Sequence, residues 1–195
     1  RAIGVTDHVG IGNLEFVVKT LVKDCAQATK RWDILAVPGV EITHVPKEDI
    51  ELVARTAKGL GARLVTVHGE TIVEPVEPGT NEAAVRAEGV DILAHPGLIS
   101  YDDARIAAEN GVYLEVSARK GHSFANGHVV KVAKEAGANM VLDSDAHAPE
   151  DLLTPELTRK IALGAGLTEE EAHALIEKNP QQLLAKLGFD AVPQT

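Results

Sequence analysis

The chain has 195 residues, 45% of them hydrophobic, which is enough for one well-buried domain, and 1–195 reads as a single unit. Its formal charge is -10, which argues against an extended nucleic-acid surface but leaves room for a small anionic ligand held through bound cations. No apolar run reaches the roughly 18 residues of a membrane span, and the single cysteine, Cys25, excludes an internal disulfide framework, so a cytoplasmic setting is expected.

Short apolar runs alternate with helical periodicity along the chain. Ala2-Ile3-Gly4-Val5 opens a first strand that ends at His8. Asn13 is placed to cap a helix running to about Trp32, with Leu14, Val17, Val18, Leu21, Val22 and Cys25 at i, i+3, i+4 spacing. Ile34 to Val40 is a second strand. Pro46 opens a helix with the face Ile50, Val53, Ala54 and Ala57, which Gly59 and Gly61 close. Leu64 to Val67, Ile92 to Ala94, Val112 to Val116 and Asn139 to Leu142 are the remaining strands. Helices are expected at 80–88, 101–110 and 127–136 between them, and at 155–164, 169–178 and 180–187 after them.

Alternation of this kind with short loops means parallel strands joined by crossovers. No Gly-x-Gly-x-x-Gly follows the first strand, so a dinucleotide fold lacks its signature. The polar residues decide for a barrel. Five motifs end strands: Thr6-Asp7-His8, Pro38-Gly39-Val40-Glu41, Val67-His68-Gly69-Glu70, Ala94-His95-Pro96-Gly97 and Ser144-Asp145-Ala146-His147. A parallel barrel gathers such ends on one face. His8, Glu41, His68, His95, Asp145 and His147 would then converge there, and imidazole and carboxylate are transition-metal ligands. Glu41 ends an otherwise apolar strand, where an unpaired carboxylate is costly to bury. Asp7, Asp143 and Glu70 are weaker candidates, Glu115 is either an internal carboxylate or part of the site, and His44 is unassigned. His128 and His173 lie in helical segments and read as structural.

Ser117-Ala118-Arg119-Lys120-Gly121-His122-Ser123 follows the fifth strand and is a basic loop in an acidic protein. Arg119 suits a phosphate, since a guanidinium forks onto two oxygens, and Lys120 and His122 are further candidates.

The motifs at His8, Glu41, His68, His95 and Asp145/His147, in that order, resemble the PHP (polymerase and histidinol phosphatase) family, in particular its small histidinol-phosphatase-like members. The resemblance implies a distorted (β/α)7 TIM-like barrel, six of whose seven strands are visible here. It implies two or three divalent metal ions (Zn, Mn or Fe) bound by His8, Glu41, His68, His95, Asp145 and His147, with Glu41 bridging two of them. Arg119 and His122 would face the phosphate of a small phosphorylated substrate, and the reaction would be phosphomonoester hydrolysis by metal-activated water. The family opens with a His-x-His pair at the end of its first strand. That pair is expected upstream of Arg1, within a βα unit of about 30 residues. A 5′–3′ exonuclease or nucleotide phosphatase on the same scaffold is the nearest alternative, which 3% aromatic residues and no basic stripe disfavour. An amidohydrolase barrel lacks its strand-end lysine, and a non-catalytic barrel subunit would be marked by loss of the ligand residues.

Overall fold

Apolar runs ending in polar residues form parallel strands in the structure, a computed structural model that describes residues 1–189; positions 190–195 of the expected 1–195 unit lie outside the described residues. The strands are β1 (Ala2–Val5), β2 (His8–Val9), β3 (Leu35–Ile42), β4 (Leu64–His68), β5 (Ile92–Ala94), β6 (Tyr113–Ser117) and β7 (Met140–Asp143). All pairings are parallel. The order is β1-β3-β4-β5-β6-β7, and β2 also pairs with β3.

β1 and β2 are one strand interrupted at Thr6-Asp7. They meet β3 in the registers Val5↔Pro38 and His8↔Glu41, on either side of Pro38-Gly39. Pro38 has no N–H for the ladder. Gly39 lets Thr6 and the Leu64 carbonyl come close, since an added Cβ would lie 2.9 Å from Thr6 Cγ2 and 2.7 Å from that oxygen. The six expected strands are therefore present. Among the described residues β1 and β7 do not pair, and the sheet is a curled six-stranded half-barrel wrapped by helices, the form of a distorted TIM-like barrel.

The helices are α1 (Leu14–Arg31), α2 (Ile50–Leu60), α3 (Thr80–Arg86), α4 (Tyr101–Asn110), α5 (Asn126–Ala136), α6 (Pro155–Gly164), α7 (Glu169–His173) and α8 (Asn179–Lys186), with a π-turn at Ala174–Lys178 joining the last two. α3 stops two residues before the expected Glu88, where Ala87 turns extended. Asn13 does not cap α1. Its Oδ1 accepts from the Gly10 amide at 2.8 Å and its Nδ2 donates to the His8 carbonyl at 3.0 Å, so the side chain secures the β2–α1 loop instead. No helix among the described residues is long and apolar enough to cross a membrane.

Strand alternation builds two faces. Val40, Ile42, Val65, Val67, Leu93, Leu114 and Val116 pack outward with the helices. Val37, Leu64, Ile92, Tyr113 and Val141 form a second cluster with Leu183 and Leu187 of the α8 region. The alternate positions two to four residues further along these strands are Glu41, Thr66, Ala94, Glu115 and Asp143, and they line a cavity of about 600 Å³ together with residues of the inner cluster. The interior is thus apolar at the strand starts and polar at their C-terminal ends.

Candidate metal centre

Each polar side chain at that end is set by a strand and the turn after it. His8 leaves β2 and pairs in register with Glu41 of β3, its Nδ1 3.8 Å from Glu41 Oε2 and 2.7 Å from Thr43 Oγ1. β3 runs on to Ile42, so Glu41 lies inside the strand rather than at its end. His68 is the last residue of β4. His95 and Asp145 follow β5 and β7 in left-handed backbone, φ 31° and 44°. That conformation is uncommon outside glycine and persists where the surroundings enforce it. For His95 the enforcement is visible, because Glu115 Oε2 accepts its backbone N–H at 2.6 Å and faces its Nδ1 at 3.0 Å. Gly97, at φ 57°, lets the turn after His95 pack on the loop after His68, since a Cβ there would lie 2.0 Å from the Glu70 carbonyl.

The eight expected site residues lie in one cluster. The His68 and His95 rings meet edge-on at 4.4 Å, and the His95 and His122 rings stack at 4.1 Å. His95 Nε2 is 3.5 Å from Glu41 Oε1, and His122 Nε2 is 3.7 Å from Asp145 Oδ2. Asp145 Oδ1 is 3.4 Å from His147 Nδ1, and the His147 ring is 5.9 Å from that of His8. Arg119 lies against the same turn. Its Nη1 donates to the Asp145 carbonyl at 3.1 Å and to His147 Nδ1 at 2.5 Å, and its Nε is 3.4 Å from Asp145 Oδ2. The loop carrying Arg119 and His122 is clamped by Asn126, which bonds both backbone groups of Ser117, at 3.0 and 2.8 Å.

Other acidic and histidine residues fall in different places. Glu70 Oε1 accepts from the Gly79 and Asn81 amides and secures the start of α3. Asp7 Oδ1 accepts from the His8 amide, and His128 Nε2 bonds the Ile99 carbonyl, a structural role. Glu115 belongs to the site through His95. Two further residues of the cluster lie outside the strand-end motifs. Glu74, in the loop after β4, places Oε2 3.1 Å from His68 Nε2 and Oε1 3.7 Å from His122 Nε2, and Thr71 Oγ1 is 2.7 Å from His122 Nδ1.

Electrostatics sort these groups by burial. Burial, then the charges of Asp145 and Glu115, push the Glu41 carboxyl up to about 9. Burial likewise raises Glu115, and burial together with the neighbouring Glu115 raises Asp143. The histidines move the other way. Burial lowers His8, His68 and His95, and with the neighbouring His95 it brings His122 to about 4. Neutral imidazoles carry a free lone pair, which is the metal-binding form.

The donor set fits a cation. His68 lies between two acceptors, the Gly69 carbonyl 3.1 Å from Nδ1 and Glu74 Oε2 3.1 Å from Nε2, and a neutral imidazole has one proton for the two, so one of its nitrogens is left as a lone pair against an oxygen. By the same logic His95 gives Nδ1–H to Glu115 and turns the Nε2 lone pair toward Glu41. His95 Nε2 and Glu41 Oε1 are both buried with no hydrogen-bond partner. Two acceptors facing each other out of water need a proton or a metal ion between them, and the proton that the raised Glu41 carboxyl holds is what a metal ion would displace. His68, His95 and His122 each offer a ligand atom, all within 4.8 Å of one another, the spacing of donors around one ion. Glu115 would then be the orienting carboxylate behind a ligand. Glu115→Gln is expected to weaken metal binding about 10- to 100-fold with little change in fold, a result checked by competition with a chromogenic chelator.

The chain is 43% identical over 188 residues to the uncharacterized protein MJ1295 of Methanocaldococcus jannaschii, covering 96% of this chain and 86% of that one. A probable phosphatase of Shewanella halifaxensis is 32% identical over 134 residues, 61% of this chain and 53% of the relative, so the chain spans about half the length of that phosphatase. Ribonuclease P protein component 3 of Methanosarcina acetivorans is 31% identical over 130 residues, 59% of this chain and 54% of that protein. The crystal structure of an uncharacterized protein superposes with a TM-score of 0.59 at 13% identity, covering 93% of this chain and 48% of the other, a likeness of fold alone. No family model matches the chain.

Proposed function

We propose that this chain, which belongs to the same family as the M. jannaschii protein MJ1295, is a cytoplasmic hydrolase of PHP type that cleaves a small phosphomonoester with the help of two or three divalent ions, zinc, manganese or iron. The observation that carries the reading is the buried, unpartnered pair His95 Nε2 and Glu41 Oε1 inside a cluster of imidazoles and carboxylates. The similarity to probable phosphatases supports phosphate as the group acted on.

His68, His95 and Glu41 would hold the deeper ion, and Glu41 lies between His95 on one oxygen and His8 on the other. Asp145, His147 and His8 would serve the outer position, where both histidines are exposed. Bound there, such ions supply hydroxide near neutral pH by acidifying water, and a Lewis-acid hold on phosphate oxygens. The chain's own residues do the rest. Glu115 keeps His95 in the right tautomer, and Asn126 fixes the loop that aims Arg119. Arg119 contributes fixed positive charge for the equatorial oxygens as charge shifts toward the leaving group. The apolar floor of the cavity, from Val37 to Leu187, limits water behind the carboxylates.

The test is hydrolysis of p-nitrophenyl phosphate by the chain stripped of metal and then resupplied with manganese or zinc. Activity that returns with metal and is lost with chelator is expected. No turnover with any divalent ion, against a panel of phosphomonoesters, would overturn the reading. A second reading, a barrel acting as a subunit of a larger assembly, draws on the similarity to the M. acetivorans protein. It requires a chain that binds no divalent metal at the rim.

A further inference from the structure

His122 is only 4% exposed, yet it sits on a loop that arrives at the rim from the far side of β6. Its surroundings say what its free nitrogen faces. Nδ1 is taken up by Thr71 Oγ1 at 2.7 Å. Nε2 looks at two carboxylates, Glu74 Oε1 and Asp145 Oδ2, each at 3.7 Å. Its ring lies on that of His95, nearly parallel at 13°. A phosphate entering there would meet two negative groups first, and a cation would be attracted by both. Arg119 Nε offsets Asp145 Oδ2 at 3.4 Å, and Glu74 leaves a net attraction for a cation at His122 Nε2.

Glu74 completes the picture from the opposite side. Its two oxygens divide between His68 Nε2, at 3.1 Å, and His122 Nε2, at 3.7 Å. With its one proton given to the Gly69 carbonyl, His68 turns the Nε2 lone pair to Glu74, the same relation that His95 Nε2 has to Glu41. The Glu74 side chain is 44% exposed, whereas those of His68, His95 and His122 are 5%, 2% and 3%. Three buried imidazoles and one reachable carboxylate make an N3O set of tetrahedral type, which suits zinc or cobalt.

We infer that His122 and Glu74 join His68 and His95 as the donors of one transition-metal site, with Glu74 as the exchangeable ligand. This rests on the metal reading above and assigns two residues that neither the motif order nor the relatives supply. It moves His122 from the substrate to the metal. Glu41 Oε1 lies 3.5 Å from the same His95 Nε2, so Glu41 and Glu74 are the two carboxylates open to the deep ion, and neither His8 nor His147 is needed to complete it. An exchangeable carboxylate on a loop explains how four protein donors are compatible with a reacting centre, which needs one open position.

The experiment is titration of the metal-stripped chain with cobalt(II), read by its visible ligand-field absorption, followed by displacement with zinc against a chelator of known affinity. Wild-type protein should show one tight site with the intense absorption of four-coordinate cobalt. His122→Ala should weaken that site by more than the roughly 10- to 100-fold that losing an orienting partner costs, and should change the spectrum. Glu74→Gln, on an exposed loop where folding is not at stake, should shift the spectrum and speed metal exchange. His128→Ala, a histidine away from the cluster, should match wild type. A wild-type cobalt spectrum in both His122→Ala and Glu74→Gln would overturn the assignment. Phosphatase assays on the same samples keep the two ideas apart. A tight site without turnover sinks the phosphoesterase and leaves the ligands, and turnover with unaltered spectra does the reverse.

Discussion

Glu41→Gln should abolish phosphatase activity and at the same time make the metal-free protein more stable. The two effects have one cause. Glu41 is buried in a strand, beside the charges of Asp145 and Glu115, and its carboxyl is pushed up to about 9 from an ordinary value near 4.5. The folded chain therefore holds a proton that the unfolded chain releases. A raised carboxyl gives its full contribution to stability below the unfolded value and loses it as pH rises through the folded one, so the metal-free protein should weaken between pH 4.5 and about 9. Glutamine keeps the shape and removes the titration. Its melting temperature at pH 8 should exceed that of metal-free wild type by several degrees, at about 2–4 °C per kcal/mol for a chain of this size. With metal present the order should invert, because an amide supplies no negative charge to hold two cations together. Calorimetric melts across that pH range, with and without zinc, are the measurement. A variant no more stable than wild type without metal would mean that the carboxylate is already compensated by something other than an ion.

That trade between stability and site chemistry is also what made part of the molecule readable in advance. A lone acid in the run Leu35–Ile42 announces itself, because nothing in an apolar strand explains it. The same alternation places Val37 and Glu41, or Ile92 and Ala94, on one interior face, so the polar rim follows from counting by twos. The break in the first strand was hidden because its cause is on the neighbour, at Pro38-Gly39. Asn13 had the residue type of a cap and was diverted by Gly10 and His8, a competition that only the folded loop decides. Glu74 lies in an irregular loop among Pro75 and Pro78, and no period says where such a loop folds back. His122 was legible as a rim residue but not as a neighbour of His68 and His95, since its depth depends on the turn at Gly121, φ 94°, and on Thr71 from a distant loop.

Arg119→Ala should lower kcat/KM about 10- to 200-fold, the equivalent of one lost charge-assisted contact of roughly 1.5–3 kcal/mol. Nη1 and Nε of the guanidinium are engaged with the Asp145 turn and His147, and a guanidinium carries five N–H donors in all. The contacts to Asp145 and His147 hold its plane in place, and its side chain is still 31% exposed, so it faces solvent with its orientation already fixed. Truncation should therefore act in two ways that can be separated. Loss of the phosphate contact should appear in kcat/KM for every substrate alike, and inorganic phosphate should inhibit more weakly by a similar factor. Loosening of His147 should make one metal easier to remove, while the ion among His68, His95 and His122 stays, because Arg119 bonds to none of those three. Arg119→Lys keeps the charge without the fork and should fall between the two. Wild-type kinetics and wild-type phosphate inhibition in Arg119→Ala would reduce the residue to a brace for the Asp145 turn.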